Sequence, residues 1–124
     1  MESDNVPPGV YVEILSGERL GEHFPISRKT ITIGRDPSCD LCLKDPYVSR
    51  KHCQIVFRGD HFTVVDLGSL NRTRVKQKQY IQKNLKDGYE MSVGNTRLRF
   101  AWPDARAWLA EHNIEEQAEE ESDE

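Results

Sequence analysis

Within seven residues, Pro46-Tyr47-Val48-Ser49-Arg50-Lys51-His52, the chain sets out a hydroxyl, two cations and an imidazole. A serine hydroxyl and a guanidinium are the donors that a dianionic phosphate group takes, because charge-assisted hydrogen bonds to phosphate are short and strong. The stretch reads as a candidate phosphate clamp. Ser-Arg-x-His is short enough to recur by chance in a loop of any protein, so its partners elsewhere decide the matter.

Other chemistries fit these residues less well. Ser49 and His52 lie three apart at a strand edge with no acid placed behind them, which disfavours an activated nucleophile. No catalytic residue is assigned, and binding rather than enzymatic turnover is expected. Cys39 and Cys42 form a C-x-x-C followed by His52 and Cys53, a possible zinc set. On a strand, positions three apart point to opposite faces and cannot share a metal, and a second C-x-x-C is missing. The three cysteines read instead as small buried hydrophobes, and their odd number fits a reducing compartment. Asp36, Asp40 and Asp45 fall in turns and read as caps. Neither a metal nor a cofactor is expected.

Arg72, Arg74, Lys76 and Lys78 recur every second residue, and no acid occurs from Asn71 to Lys86. On a strand this would put four cations on one face. Such a row is usually a solvated sheet face, and few aromatics interleave with it, so direct nucleic-acid contact through residues 72–86 is disfavoured.

The elements that must position the clamp are short strands. A chain of 124 residues is long enough for one core without disulfides. It contains no apolar run near the roughly 20 residues that span a bilayer, and its first nine residues lack the pattern of a signal sequence. No membrane association is expected, and the reading is intracellular, cytoplasmic or nuclear. Seven of the 21 acids lie in residues 115–124, leaving 14 against 17 Lys and Arg, a formal +3, in the remainder. Mild basicity suits an anion binder and falls short of a dedicated nucleic-acid domain.

Residues 1–9 read as a flexible lead-in with Pro7-Pro8-Gly9. Val10 to Leu15 reads as a strand, Glu22 to Ile26 as an edge strand interrupted by Pro25, and Thr30 to Ile33 as a strand with Ile31 and Ile33 inward. A short strand carrying Leu41 and Leu43 follows. The clearest hairpin alternates Cys53, Ile55 and Phe57 with polar neighbours, turns at Arg58-Gly59-Asp60, and returns through Phe62 and Val64. Its turn lies at one end, so loops 44–51 and 66–73 must meet at the other. Arg35 is one short strand away, roughly 13 Å at 3.3 Å per residue, part of which its own side chain spans. Val75, Tyr80-Ile81, Tyr89 to Val93, and Thr96 to Trp102 complete the strands, the last with Leu98, Phe100 and Trp102 inward and Arg97 and Arg99 outward. The pattern predicts an all-β, antiparallel β-sandwich. A short helix over 103–114, with Ala105, Trp108, Leu109 and His112 on one face, and a disordered acidic tail over 115–124 follow.

Gly34-Arg35, then Ser49-Arg50-Lys51-His52, then Asp66 with Ser69-Leu70-Asn71-Arg72-Thr73 occur in an order that resembles the forkhead-associated (FHA) domain family. That signature is Gly-Arg, Ser-Arg-x-His, and an Asp followed by Ser-x-Asn-Gly-Thr. The resemblance covers about Val10 to Trp102 and implies a sandwich of about eleven short strands that reads phosphothreonine in a partner protein through loops at one end. Position by position, it implies that Arg35, Ser49 and Arg50 bind the phosphate and that Asn71, Arg72 and Leu70 face the peptide. Gly34 would permit the turn that aims Arg35, His52 would brace the loop from beneath, and Asp66 and Thr73 would hold the third loop. Arg72 stands where the family has glycine, and Leu70 where many members have a hydroxyl residue. The expected partner is therefore a phosphothreonine protein or peptide, and the expected state a monomer. The alternative is an FHA-like scaffold that binds without phosphate. Two further expectations attach to the tail: that it folds back on the basic row, and that Ser122, once phosphorylated, is a ligand for another copy.

Overall fold

The computed structural model describes residues 6–114, which form eleven strands and one helix. The strands are β1 (Tyr11–Ile14), β2 (His23–Pro25), β3 (Thr30–Gly34), β4 (Leu41–Cys42), β5 (Cys53–Phe57), β6 (Phe62–Asp66), β7 (Thr73–Val75), β8 (Lys78–Tyr80), β9 (Gln82–Leu85), β10 (Glu90–Val93) and β11 (Thr96–Ala101). They make two sheets, one ordered β2-β1-β11-β10-β7-β8 and the other β4-β3-β5-β6-β9. The period-two alternation read from the sequence sets the buried faces, because successive strand side chains point to opposite sides. Ile31, Ile33, Cys53, Ile55 and Phe57 from one sheet meet Val12, Ile14, Leu98 and Phe100 from the other, all buried. Phe62 is fully buried between them, 5.2 Å from the Phe100 ring centroid. Arg97 and Arg99 face outward, Arg99 reaching Glu13 at 2.9 Å and Glu90 at 3.5 Å.

Three local readings change. First, β4 pairs with β3 in parallel, Ile33 opposite Leu41 and Gly34 opposite Cys42, so the sandwich is mixed at that edge. The strand there is only two residues long, and Cys39 lies in the turn before it, so the strand alternation invoked to separate Cys39 from Cys42 does not apply. Second, the run Arg72 to Lys78 is not one strand. The chain reverses at Lys76 and Gln77, with φ of 53° and 72°, and Val75 pairs with Lys78. Two consecutive positive φ values match the right-handed twist of a hairpin. The four cations are thereby distributed over a loop, a strand, a turn and a second strand instead of sharing one face. Third, Ile81 is a link between β8 and β9, so one expected strand becomes two on different sheets.

The helix α1 (Ala105–Glu111) is shorter than the expected 103–114, and the residue before it, Asp104, makes no side-chain capping bond. It buries Leu109 and sets Trp108 against Trp102 and Phe57, at ring-centroid distances of 5.9 and 5.8 Å. At the other terminus, Val6 packs against the core and Pro7 is buried. No helix among the described residues is long and apolar enough to cross a membrane. The acidic tail, and the expectations attached to it and to Ser122, lie outside the described residues.

Candidate functional site

The hairpin β5–β6 does bring loops 43–52 and 67–72 to one end of the sandwich, and the end of β3 meets them there. Arg35 donates its backbone N–H to the Ser49 carbonyl (3.0 Å), and Asp36 donates to the Arg50 carbonyl (3.1 Å). Gly34 is needed for this approach, but not as a turn residue: it sits in β3 without a positive φ. A Cβ at Gly34 would fall on the Arg50 carbonyl oxygen and lie 2.8 Å from Cys39 Sγ. The thiols close the same contact, Cys39 donating to the Arg50 carbonyl (3.2 Å) and Cys42 to the Arg35 carbonyl (3.4 Å).

These contacts pin the backbone of the candidate phosphate ligands and leave their polar tips outward. Arg35 spends Nε on the Val48 carbonyl (2.9 Å), which orients its guanidinium; its two Nη groups meet no partner among the described residues. Ser49 Oγ accepts the Leu70 backbone N–H at 3.0 Å, so its own hydroxyl hydrogen remains available to an acceptor. Arg50 and Lys51 are exposed beside them. The field of this cluster reaches Asp36. Its carboxyl is held below the usual value chiefly by the Ser38 backbone N–H and hydroxyl, with Lys51 and Arg50 adding to the effect.

The third loop is built around Asp66. Its carboxylate accepts the backbone N–H groups of Gly68 and Ser69, each at 2.9 Å, the Ser69 hydroxyl at 2.5 Å and the Thr73 hydroxyl at 2.7 Å. Burial pushes the Asp66 carboxyl up, but these donors together hold it below 3.8. The loop so folded delivers Asn71, whose Nδ2 donates to the Tyr47 carbonyl at 2.7 Å and whose carbonyl oxygen remains for a ligand. Arg72, where glycine was the expected residue, does have a left-handed φ of 67°.

His52 joins the loops. It is fully buried; Nδ1 accepts the Ser49 N–H (3.0 Å) and Nε2 donates to the Arg72 carbonyl (2.8 Å). Because the Ser49 N–H can only donate and the Arg72 carbonyl can only accept, the ring hydrogen belongs on Nε2.

A family model described as the inner membrane component of T3SS, cytoplasmic domain, matches residues 13–104. The chain is 39% identical over 101 residues to an oxoglutarate dehydrogenase inhibitor of Corynebacterium diphtheriae, covering 79% of this chain and 70% of that protein. It is 35% identical over 98 residues to the glycogen accumulation regulator GarA of Mycolicibacterium smegmatis, covering 78% of this chain and 62% of GarA. A solved FHA domain, described through phosphothreonine-dependent FHA domain interactions, matches with a TM-score of 0.70 at 26% identity, covering 75% of this chain and 95% of that one. The chain belongs to the forkhead-associated family.

Within this FHA domain, two supporting residues escaped the sequence reading. Ser69 is buried and fills Asp66, a role hinted at only by its place in the Ser-x-Asn pattern. Asp45, a local cap by its place in a turn, does accept the Tyr47 N–H (2.8 Å). It also accepts the Asn95 N–H (2.7 Å) and the Thr96 hydroxyl (2.8 Å), fastening the β10–β11 turn under the clamp loop. Burial raises the Asp45 carboxyl, and those three donors outweigh it and bring it below 3.8. Gly94 completes the contact: at φ 60°, its missing side chain would meet Val48 Cγ2 at 2.7 Å.

Proposed function

We propose that this FHA domain binds phosphothreonine in a partner protein, with Arg35 and Ser49 as the phosphate ligands and Arg50 as a flanking cation. The observation that carries the reading is that Val48 and Leu70 brace the Arg35 and Ser49 side chains while leaving the two Arg35 Nη groups and the Ser49 hydroxyl hydrogen for an acceptor. Pre-organised donors of this kind lose little freedom on binding, and phosphate is the ligand that takes several at once. Asn71, one N–H already tied to Tyr47, would hold the peptide main chain through its amide oxygen, and Leu70 and Arg72 would line the approach. The FHA match described through phosphothreonine-dependent interactions supports the same ligand. The protein acts by binding, as a monomer inside the cell, and regulates what it binds. The relatives named as an enzyme inhibitor and as a regulator support the regulatory part of this reading.

The test is calorimetric titration with a phosphothreonine peptide and its unphosphorylated twin. The phosphorylated form should bind far more tightly, and Arg35→Ala should remove the difference, a loss of about 2–5 kcal/mol for one partner of a desolvated charged pair. Equal affinities for the two peptides would rule the reading out and favour a phosphate-independent scaffold.

A further inference from the structure

The three cysteines are free, and their surroundings divide them into a pair and a bystander. Cys53 is fully buried in β5 opposite Ile33, facing the core, and burial pushes its thiol up to about 12. Cys39 and Cys42 belong to the other end of β3. Cys39 lies in the turn before β4, with its Sγ 2.8 Å from the point where a Gly34 Cβ would be. Cys42 is the register partner of Gly34 across the parallel β3–β4 pair, so its Cβ leaves the sheet on the same side as that point. Neighbouring strands are about 4.8 Å apart, so the two thiols border one side-chain position, at the sheet edge and beside a turn. Burial is the chief cause that raises the Cys39 thiol, with Asp36 next and Cys42 close enough to contribute. Among the described residues no group of three or more His, Cys, Asp or Glu could hold a metal ion, which leaves the C-x-x-C without that use. Each of its thiols holds a carbonyl of the clamp instead, Cys39 that of Arg50 and Cys42 that of Arg35.

We propose that Cys39 and Cys42 are an oxidation site, joined by hydrogen peroxide into a reversible disulfide that loosens the phosphate clamp. Cys42 is partly exposed and Cys39 buried, so Cys42 reacts first. Its sulfur takes one oxygen from the peroxide, whose O–O bond breaks to release water, and becomes a sulfenic acid. The Cys39 sulfur then attacks that sulfur, the S–O bond breaks, and the hydroxyl leaves with the Cys39 proton as a second water. Two thiols thus lose two hydrogens, and one peroxide is reduced to two waters. A disulfide has no S–H, so the Arg35 and Arg50 carbonyls each lose a donor. The bonds from the Arg35 and Asp36 N–H groups to the Ser49 and Arg50 carbonyls persist, so the loops loosen without separating. The effect on binding rests on the phosphothreonine reading and adds a regulation to that site.

The full chain, reduced and then treated with hydrogen peroxide, tests this by two readouts: mass spectrometry after alkylation of free thiols, and calorimetry with a phosphothreonine peptide. The tryptic peptide 36–44 holds both cysteines and should appear lighter by two hydrogens and unalkylated, while Cys53 stays a thiol. Affinity for the phosphothreonine peptide should fall about fivefold, as expected for the loss of two weak hydrogen bonds, and should return with dithiothreitol. Cys39→Ser should stop at a sulfenic acid on Cys42, which dimedone traps, and Cys42→Ser should form no disulfide. Each variant is compared with its own untreated form, and neither should show the fivefold drop. Thiols still alkylated at both positions, a sulfinic acid on Cys42 of the wild type, or a disulfide that leaves affinity unchanged would overturn the proposal while leaving phosphate recognition standing. Reduced wild type that binds phosphothreonine and threonine peptides alike would remove the underlying reading, and the switch with it.

Discussion

Replacing His52 with Phe removes the polar junction between the two site loops while nearly preserving ring volume. The wild-type side chain is fully buried and makes two hydrogen bonds, one from the Ser49 N–H and one to the Arg72 carbonyl. A typical hydrogen bond contributes about 1 kcal/mol net, and a buried group left unpaired costs about 1–3 kcal/mol. Ser49 is only half-buried and Arg72 is exposed, so water can partly replace both partners. The expected loss is therefore about 2 kcal/mol. His52→Ala should cost more, because it adds a cavity among close-packed neighbours. Urea unfolding followed by the fluorescence of Trp102 and Trp108 measures both. Phosphopeptide affinity should fall together with stability, because Ser49 loses the bond from its backbone N–H that helps fix the loop carrying its hydroxyl. The Arg35 N–H to Ser49 carbonyl bond survives, so binding should weaken and not vanish. If His52→Phe unfolds within about 0.5 kcal/mol of wild type and binds a phosphothreonine peptide equally well, His52 does not brace the clamp.

Arg72 holds a φ of 67° that glycine adopts freely, so Arg72→Gly should leave stability level or raise it by up to about 1 kcal/mol, whereas Arg72→Val should lower it in the same urea assay. Gly34→Ala places a methyl group on the Arg50 carbonyl and should destabilise by at least about 2 kcal/mol, with phosphopeptide binding impaired because Arg35 and Ser49 are displaced together. The Asp66 carboxyl is depressed below 3.8 in the folded state, so its contribution is fully present above about that pH and is lost as the pH falls through the lower folded value. Asp66→Asn should therefore cost about 1–3 kcal/mol at neutral pH and flatten the decline in stability below pH 4, read from urea midpoints across pH.

Much of the frame was legible because it depends on short-range periodicity. Alternation alone places Ile31, Ile33, Ile55 and Phe57 inward, and strand reversal alone predicts that loops 44–51 and 66–73 meet. What escaped depends on contacts between distant residues or on conformations that the residue types do not advertise. Lys76 and Gln77 form a tight turn without the Asn-Gly or Asp-Gly that signals one, so the basic run looked like a single strand. The two-residue β4 is too short to show alternation, and its parallel pairing with β3 follows from the turn that precedes it. Asp45 finds Asn95 and Thr96 some 50 positions away, and no local pattern distinguishes that from an ordinary cap. Gly34 looked like a turn glycine because Gly-Arg precedes a turn; the reason for glycine is the backbone of Arg50 lying against it.

The site loops contain three acids close to the clamp, Asp36, Asp45 and Asp66, any of which could in principle have neutralised Arg35 or Arg50. Among the described residues none forms an ion pair with either cation, because each is occupied by donors of the loops themselves. Asp36 accepts the Ser38 N–H, Asp45 the Tyr47 and Asn95 N–H groups and the Thr96 hydroxyl, and Asp66 two N–H groups and two hydroxyls. All three carboxyls are depressed, so they remain charged at neutral pH, stabilised chiefly by backbone and hydroxyl dipoles and not by guanidinium. The negative charge that shapes the loops is thereby kept off the positive groups that would meet phosphate. Fixed loops and unneutralised donors would ordinarily compete, since the strongest way to hold an arginine in place is a carboxylate. Holding Arg35 by a carbonyl instead would leave its full charge for a phosphate, as the proposed clamp requires.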